Sequence, residues 1–215
     1  MVFLNRGDHF EARPLPLMAQ LTPAFAPVVA DFDGDGNEDI FLSQNCFAVD
    51  RETGRYDGGR GLWLRGDGQG NFEAVPAAVS GLSIYGEQRG AAVADFDNDG
   101  RPDLVVAQHA APLKLFRNRG APVGLRVRLV GPIGNRNGIG AQLRLKFGER
   151  YGATRELHAG SGYWSQDSST VVLATPADPS HLWVRWPGGK VTETALTPGA
   201  GNVSIDWQGE IHAIR

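Results

Sequence analysis

The feature that most constrains this chain is a short stretch, DFDGDGNEDI, running from Asp31 to Ile40. It returns as DFDNDGRPDL from Asp95 to Leu104, 64 residues later, with all four Asp positions in register. The carboxylates are Asp31, Asp33, Asp35 and Asp39 in the first copy and Asp95, Asp97, Asp99 and Asp103 in the second. Like charges this close repel unless a cation lies among them. A hard dication with oxygen ligands is the natural partner. The first, third and fifth positions put carboxylates inside a tight loop, and Gly36 and Gly100 permit the sharp turn that follows. The seventh position, Asn37 or Arg101, would lend its backbone carbonyl, leaving its side chain nearly free. Each loop is therefore expected to hold a Ca²⁺, two in all. The plain alternative is an Asp-rich solvated turn without metal, but a duplicated four-Asp pattern makes a poor turn and a good cage.

The spacing overlaps that of an EF-hand, which needs a Glu at position 12 and a helix on each side. Position 12 here is Leu42 or Val106. The flanks are Val28-Val29-Ala30 and Ile40-Phe41-Leu42, then Ala92-Val93-Ala94 and Leu104-Val105-Val106. Short apolar, partly β-branched runs of this kind read as strands. The expectation is a Ca²⁺ loop between two strands, closed by the Asp at position 9.

A strand–DxDxDGxxD–strand unit at this period resembles the FG-GAP/VCBS repeat of integrin-type β-propellers. Openings at Phe3-Leu4-Asn5-Arg6-Gly7, Leu62-Trp63-Leu64-Arg65-Gly66 and Leu115-Phe116-Arg117-Asn118-Arg119-Gly120 agree with it. The resemblance covers residues 1 to about 120. It implies two blades, over residues 1–60 and 61–120, and the start of a third. Propellers typically close with four or more blades, and repeat units do not bury their faces alone. The chain is thus expected to be the C-terminal piece of a longer protein, or to be covered by further blades or a second copy.

Composition agrees with an all-β chain. Glycine numbers 29 and proline 13, hydrophobic residues make up 41%, and no long stretch keeps a helical period. The single Cys46 excludes an intramolecular disulfide. No apolar run approaches a membrane span, and MVFLNRGDHF is not a signal peptide. Residues 1–120 carry 11 basic and 17 acidic side chains, the remainder 10 and 7. The acidity belongs mostly to the Asp loops, and neither part is basic enough to argue for nucleic acid. Arg6-Gly7-Asp8 and Arg65-Gly66-Asp67 spell an adhesive tripeptide twice, although a repeated turn that favours Gly and Asp explains the recurrence as well.

After Ala121-Pro122-Val123-Gly124, read as a linker, the Asp loops stop. Alternation in Leu125–Val130 and Ala141–Phe147 marks half-buried strands, with more expected at 154–158, 170–173, 181–186, 191–196 and 203–207. Gly/Pro turns between them suggest a small β-sandwich. The expected division is a propeller segment at 1–120 and a sandwich at 121–215. Three stretches resemble the ASPIC/UnbV domain: Asn135-Arg136-Asn137-Gly138-Ile139-Gly140-Ala141, then His158 to Gln166, then Val184-Arg185-Trp186-Pro187-Gly188-Gly189-Lys190. FG-GAP/VCBS repeats followed by this domain resemble the cartilage acidic protein family, whose bacterial members include UnbV-type proteins encoded with enediyne biosynthesis genes. The resemblance implies an extracellular or periplasmic Ca²⁺-binding protein of ill-defined molecular role.

His158, Ser161, Ser165 and Asp167 invite a nucleophile reading, but Gly160-Ser161-Gly162 is not a G-x-S-x-G elbow. A Gly/Ser turn explains the stretch equally. Trp164, Trp183, Trp186 and Trp207, with Tyr163, would suit either a sugar-binding platform or core packing. The leading expectation is a non-enzymatic, Ca²⁺-stabilised binding or adhesion protein with a protein or carbohydrate ligand. The rivals are an accessory or catalytic protein of natural-product biosynthesis, resting on convergence of His158, Asp167 and Arg185, and a carbohydrate-binding module.

Overall fold

The computed structural model describes residues 1–212; the last three residues of the expected second domain lie outside them. The protein is all-β. Strands β1 (Val2–Asn5) and β2 (Phe10–Arg13) form a hairpin of their own. Strands β3 (Ala24–Ala30), β4 (Asp39–Gln44), β5 (Leu62–Gly66) and β6 (Phe72–Val75) form an antiparallel meander in that order. A one-turn helix, α1 (Ala77–Ser80), precedes a second meander of β7 (Gln88–Ala94), β8 (Asp103–Gln108) and β9 (Ala111–Phe116).

The meanders are blade-like but framed differently from the sequence repeat. Leu62-Trp63-Leu64, which opens the second sequence unit, pairs with Leu42-Phe41-Ile40 of the first. Pairing follows the alternation of apolar side chains. Ile40, Leu42, Leu62 and Leu64 share one layer with Leu15, Ala19 and Phe72. Phe41 points the other way, into a layer built from Ala26, Val28, Ile84, Ala91, Leu104 and Val106, which joins the two meanders. Each such side chain contributes about 1.5–3 kcal/mol by leaving water. In this frame β1 and β2 are an outer hairpin, β3–β6 a full blade, and β7–β9 a blade of three strands.

The remaining strands form two packed sheets. The first is β14 (Thr170–Leu173), β10 (Leu125–Val130), β17 (Asn202–Asp206) and β18 (Ile211–His212) in spatial order, with β10 and β17 parallel. The second is β12 (Arg150–Tyr151), β11 (Gln142–Phe147), β15 (His181–Arg185) and β16 (Val191–Ala195), with β13 (Arg155–Glu156) also on β11. Their inner faces meet through Leu125, Val127, Leu129, Leu143, Leu145, Leu182, Val184, Val203 and Ile205, all buried. This is the sandwich that the alternation predicts.

The sandwich lies against the blades. Arg155 donates to the Val29 carbonyl on β3 and pairs with Glu38. Ser168 N–H donates to Val93 O on β7 at 2.9 Å, and Val93 N–H donates to Asp167 Oδ1 at 2.8 Å. The segment at 121–124 is not a free tether. Arg101 Nε donates to Ala121 O at 2.6 Å, and Gly124 N–H donates to Gly100 O at 2.9 Å. A Cβ on Gly34 would sit 2.8 Å from Pro122 Cδ. The segment is wedged against both Asp loops.

Candidate metal centres

Each Asp loop closes a β-hairpin, with Ala30 facing Asp39 across β3–β4 and Ala94 facing Asp103 across β7–β8. No helix flanks either loop, so the arrangement is not an EF-hand. Inside the first loop the carboxylates order the backbone. Asp31 accepts N–H bonds from Gly34 (2.7 Å), Asp35 (3.2 Å) and Gly36 (2.8 Å). Asp35 accepts one from Asn37 at 2.7 Å. The turn requires Gly36 at φ +94°, and its counterpart Gly100 lies at +80°; side chains rarely adopt that region. In the second loop Asp95 accepts from Asp99 N–H (2.9 Å) and Gly100 N–H (3.0 Å), and Asp99 from Arg101 N–H (3.0 Å).

The loops bring most, not all, of the expected ligands together. Asp31, Asp33 and Asp39 each place a carboxylate oxygen within 4.8 Å of the others, as do Asp95, Asp97 and Asp99. Asp35 is exposed and outside the first group, and Asp103 is outside the second. The ninth-position residues have a task that sequence did not disclose. Asp39 is fully buried and accepts from Gly66 N–H (2.9 Å), Phe32 N–H (3.0 Å) and Trp63 Nε1–H (3.0 Å). Asp103 accepts from Phe96 N–H (2.9 Å) and Asn118 N–H (2.7 Å). Each thus ties its loop to the next strand outward while keeping its charge next to the cluster. Arg101 is not free: besides Ala121 O, it bonds Asp99 Oδ2 at 3.0 Å.

Burial raises the ninth-position carboxyl in both copies, Asp39 and Asp103 alike; the copies differ at their other carboxyls and in their basic partners. Burial pushes the Asp31 carboxyl up to about 7, against the pull of the Gly36 and Gly34 N–H groups. Burial likewise raises Asp39 to about 6 although Gly66 and Phe32 hydrogen-bond it. Charged forms there lack a compensating cation. Among the described residues, the one basic side chain paired with the first cluster is Arg65, with Nε 2.7 Å from Asp33. At Asp99 burial also works upward, but Arg117 and Arg101 outweigh it and hold the carboxyl below its ordinary value. The donor set of the first loop fits a hard dication: carboxylate oxygens of the buried Asp39 and the half-buried Asp31 and Asp33 converge, under-neutralised, in a Gly-bent loop. The loop opens onto a groove of about 800 Å³ lined by Asp31, Asp35, Asn37, Arg150, Tyr151 and Pro176.

The residues weighed for catalysis do not assemble a nucleophile and base. His158, Ser161 and Asp167 line one cleft of about 360 Å³ between blades and sandwich. The charged partner of His158 among the described residues is Glu156, at 3.6 Å. Ser161 Oγ accepts from Asp167 N–H at 3.1 Å, and the Asp167 carboxylate is engaged by Val93 N–H. Ser165 Oγ donates to Ser161 O across a tight turn. Arg185 is on β15, outside that cleft. The aromatic residues do separate jobs. Trp186 is core, with Nε1–H donating to Thr192 Oγ1 at 3.0 Å. Trp183 lies under Arg144 at 4.4 Å and Trp207 under Lys190 at 4.5 Å. Trp164 is 94% exposed, stacked on Tyr163 at 5.5 Å.

Comparison with known families agrees with both parts of the chain. Residues 47–106 match the family model for an FG-GAP-like repeat, and residues 131–211 match the model for ASPIC and UnbV. None of the curated proteins matches the chain. The first match spans β5–β7, the second Asp loop and the start of β8; the second match begins just after β10 and spans the rest of the sandwich to Ile211. Neither is a typical enzymatic domain. Among the described residues, no helix is long and apolar enough to cross a membrane.

Proposed function

The chain has the architecture of the cartilage acidic protein family, an FG-GAP-like repeat followed by an ASPIC and UnbV domain, and from that premise we propose that it is a non-enzymatic, Ca²⁺-stabilised adhesion-type protein working outside the cytoplasm. The supporting observation is the first loop, where Asp31, Asp33 and Asp39 converge with Arg65 as the one basic partner. A Ca²⁺ held there would relieve repulsion among buried carboxylates and fix the hairpin between β3 and β4. Its role is structural: Asp39 links the cluster to Gly66 and Trp63, so ordering the loop also fixes β5. Sites of extracellular modules bind Ca²⁺ at about 10⁻⁴–10⁻³ M, which suits a compartment rich in the ion.

A protein or carbohydrate would be the ligand. The displayed Tyr163–Trp164 stack is the feature that favours a sugar, since a flat exposed aromatic face suits one. The deciding experiment for the main reading is calorimetric titration of the metal-stripped protein with CaCl₂. Saturable binding that disappears in Asp33→Ala supports it; no heat at millimolar CaCl₂ overturns it.

A further inference from the structure

The two Asp loops are copies in sequence and differ in what neutralises them. We propose that the second loop carries its cation within the chain: the Arg126 guanidinium, supported by Arg117 and Arg101, takes the place that Ca²⁺ takes in the first loop. One copy of the motif then holds an ion, and the other holds the sandwich. The inference rests on reading the first loop as a Ca²⁺ site.

Equivalent positions of the two loops meet different numbers of basic side chains. Arg65 on Asp33 and Arg117 on Asp97 are the same contact, one from each unit. Beyond it the loops diverge. Among the described residues Asp31 has no basic partner, and its oxygens accept from backbone N–H groups. Its counterpart Asp95, with a side chain 1% exposed, has Arg126 Nε at 2.6 Å from Oδ2, and the same guanidinium reaches Asn98. Arg126 Nε makes no aligned hydrogen bond, so this is a charge contact. At the seventh position the first loop has Asn37, whereas the second has Arg101 turned back onto Asp99. Arg117 also reaches Asp99, at 3.2 Å.

Four carboxylates against Arg65 leave the first loop three negative charges in excess; Glu38 beside it is already paired with Arg155. Four carboxylates against three guanidinium groups leave the second loop one in excess. A dication in the first loop brings it to the balance that the second already has. A dication entering the second would have to expel Arg126 from a buried carboxylate, leaving that charge unpaired against the blade. Arg126 lies on β10, the first strand of the sandwich, so ion entry there and sandwich docking exclude one another.

Equilibrium dialysis against ⁴⁵Ca²⁺ tests this on the full chain. The native protein should bind a single ion in the saturable range, and Asp31→Asn should abolish it. Asp95→Asn should leave it in place. Arg126→Ala should bind a second ion at least ten-fold more tightly than the native protein does. Two equivalent ions in the native protein, or loss of the single ion in Asp95→Asn but not in Asp31→Asn, overturns the assignment while leaving Ca²⁺ binding intact. No bound ion in any form overturns the Ca²⁺ reading and this inference with it. The Asp31 and Asp95 variants decide the matter even where Arg126→Ala does not fold.

Discussion

The Asn118 side-chain amide donates to the Phe32 carbonyl, 86 positions earlier, at 2.8 Å. Its own N–H donates to Asp103 at 2.7 Å, and its Oδ1 accepts from Gly120 and Ala121 N–H. One residue thus joins the first Asp loop, the second Asp loop and the segment leading to the sandwich. Removing the amide strands Phe32 O and Ala121 N–H in a half-buried place, while the exposed Gly120 N–H can turn to water. Asn118→Ala should cost about 2–4 kcal/mol, with single groups of this kind worth roughly 1–3 kcal/mol each. Urea unfolding measures it; a change under 0.5 kcal/mol would show that the joint is incidental.

Arg65-Gly66-Asp67 is tied to the first loop through a buried Gly66, while Arg65 and Asp67 stay exposed. Arg65 pairs with Asp33, Gly66 N–H donates to Asp39, and Asp67 accepts from Gln69 N–H and the Asn71 amide. A Cβ on Gly66 would fall 2.2 Å from Glu38 O. Gly66→Ala should therefore destabilise the protein by about 2–4 kcal/mol, a backbone clash being among the severe single-residue effects. Thermal unfolding checks this. A neutral Gly66→Ala would return the tripeptide to the status of a free turn.

Stability should respond to pH in opposite directions with and without ion. In the ion-free protein burial lifts Asp31 to about 7 and Asp39 to about 6, above the unfolded aspartate value of about 3.9. The folded state then holds protons that the unfolded chain releases. Their stabilising contribution is complete below the unfolded value and is lost as pH rises to about 7. With Ca²⁺ bound, protons compete with the ion, and stability falls as pH is lowered through the same window. Unfolding temperatures at pH 5.5 and 7.5, in metal-stripped and Ca²⁺-loaded protein, should change order. The same order in both states would contradict the account.

Two tryptophans should behave differently. Trp186, 4% exposed in the sandwich core, should cost about 3–5 kcal/mol on substitution by Ala. Trp164, 94% exposed, should cost under about 0.5 kcal/mol. Denaturant titration of each variant separates them; a large loss at Trp164 would make it a structural residue rather than a displayed one.

The Asp loops were legible because their chemistry is local: alternate carboxylates, a Gly at the turn and apolar strands lie within ten consecutive residues. The sandwich strands were legible for the same reason, from alternation over runs such as Leu125–Val130. What crosses the chain was not. Arg126 reads in sequence as the polar face of a half-buried strand, and nothing local points it at Asp95. Arg101 reads as a tolerated solvent residue, yet turns inward to Asp99 and Ala121. The blade frame was hidden because the repeat period is visible at any starting point. Only the pairing of β4 with β5 shows which hairpin completes which sheet.

Thermal unfolding of the native chain and Asp33→Ala, each metal-stripped and in CaCl₂ at a hundred-fold excess over the dissociation constant, tests the central claim most directly. Saturation at that level stabilises by about 2.7 kcal/mol, which for a chain of this size raises the unfolding temperature by about 5 °C or more. That rise is expected in the native protein and not in Asp33→Ala, with the two metal-stripped proteins unfolding at similar temperatures. Equal unfolding of the native protein with and without Ca²⁺ would make the Asp loops ordinary turns and contradict the structural role given to the ion.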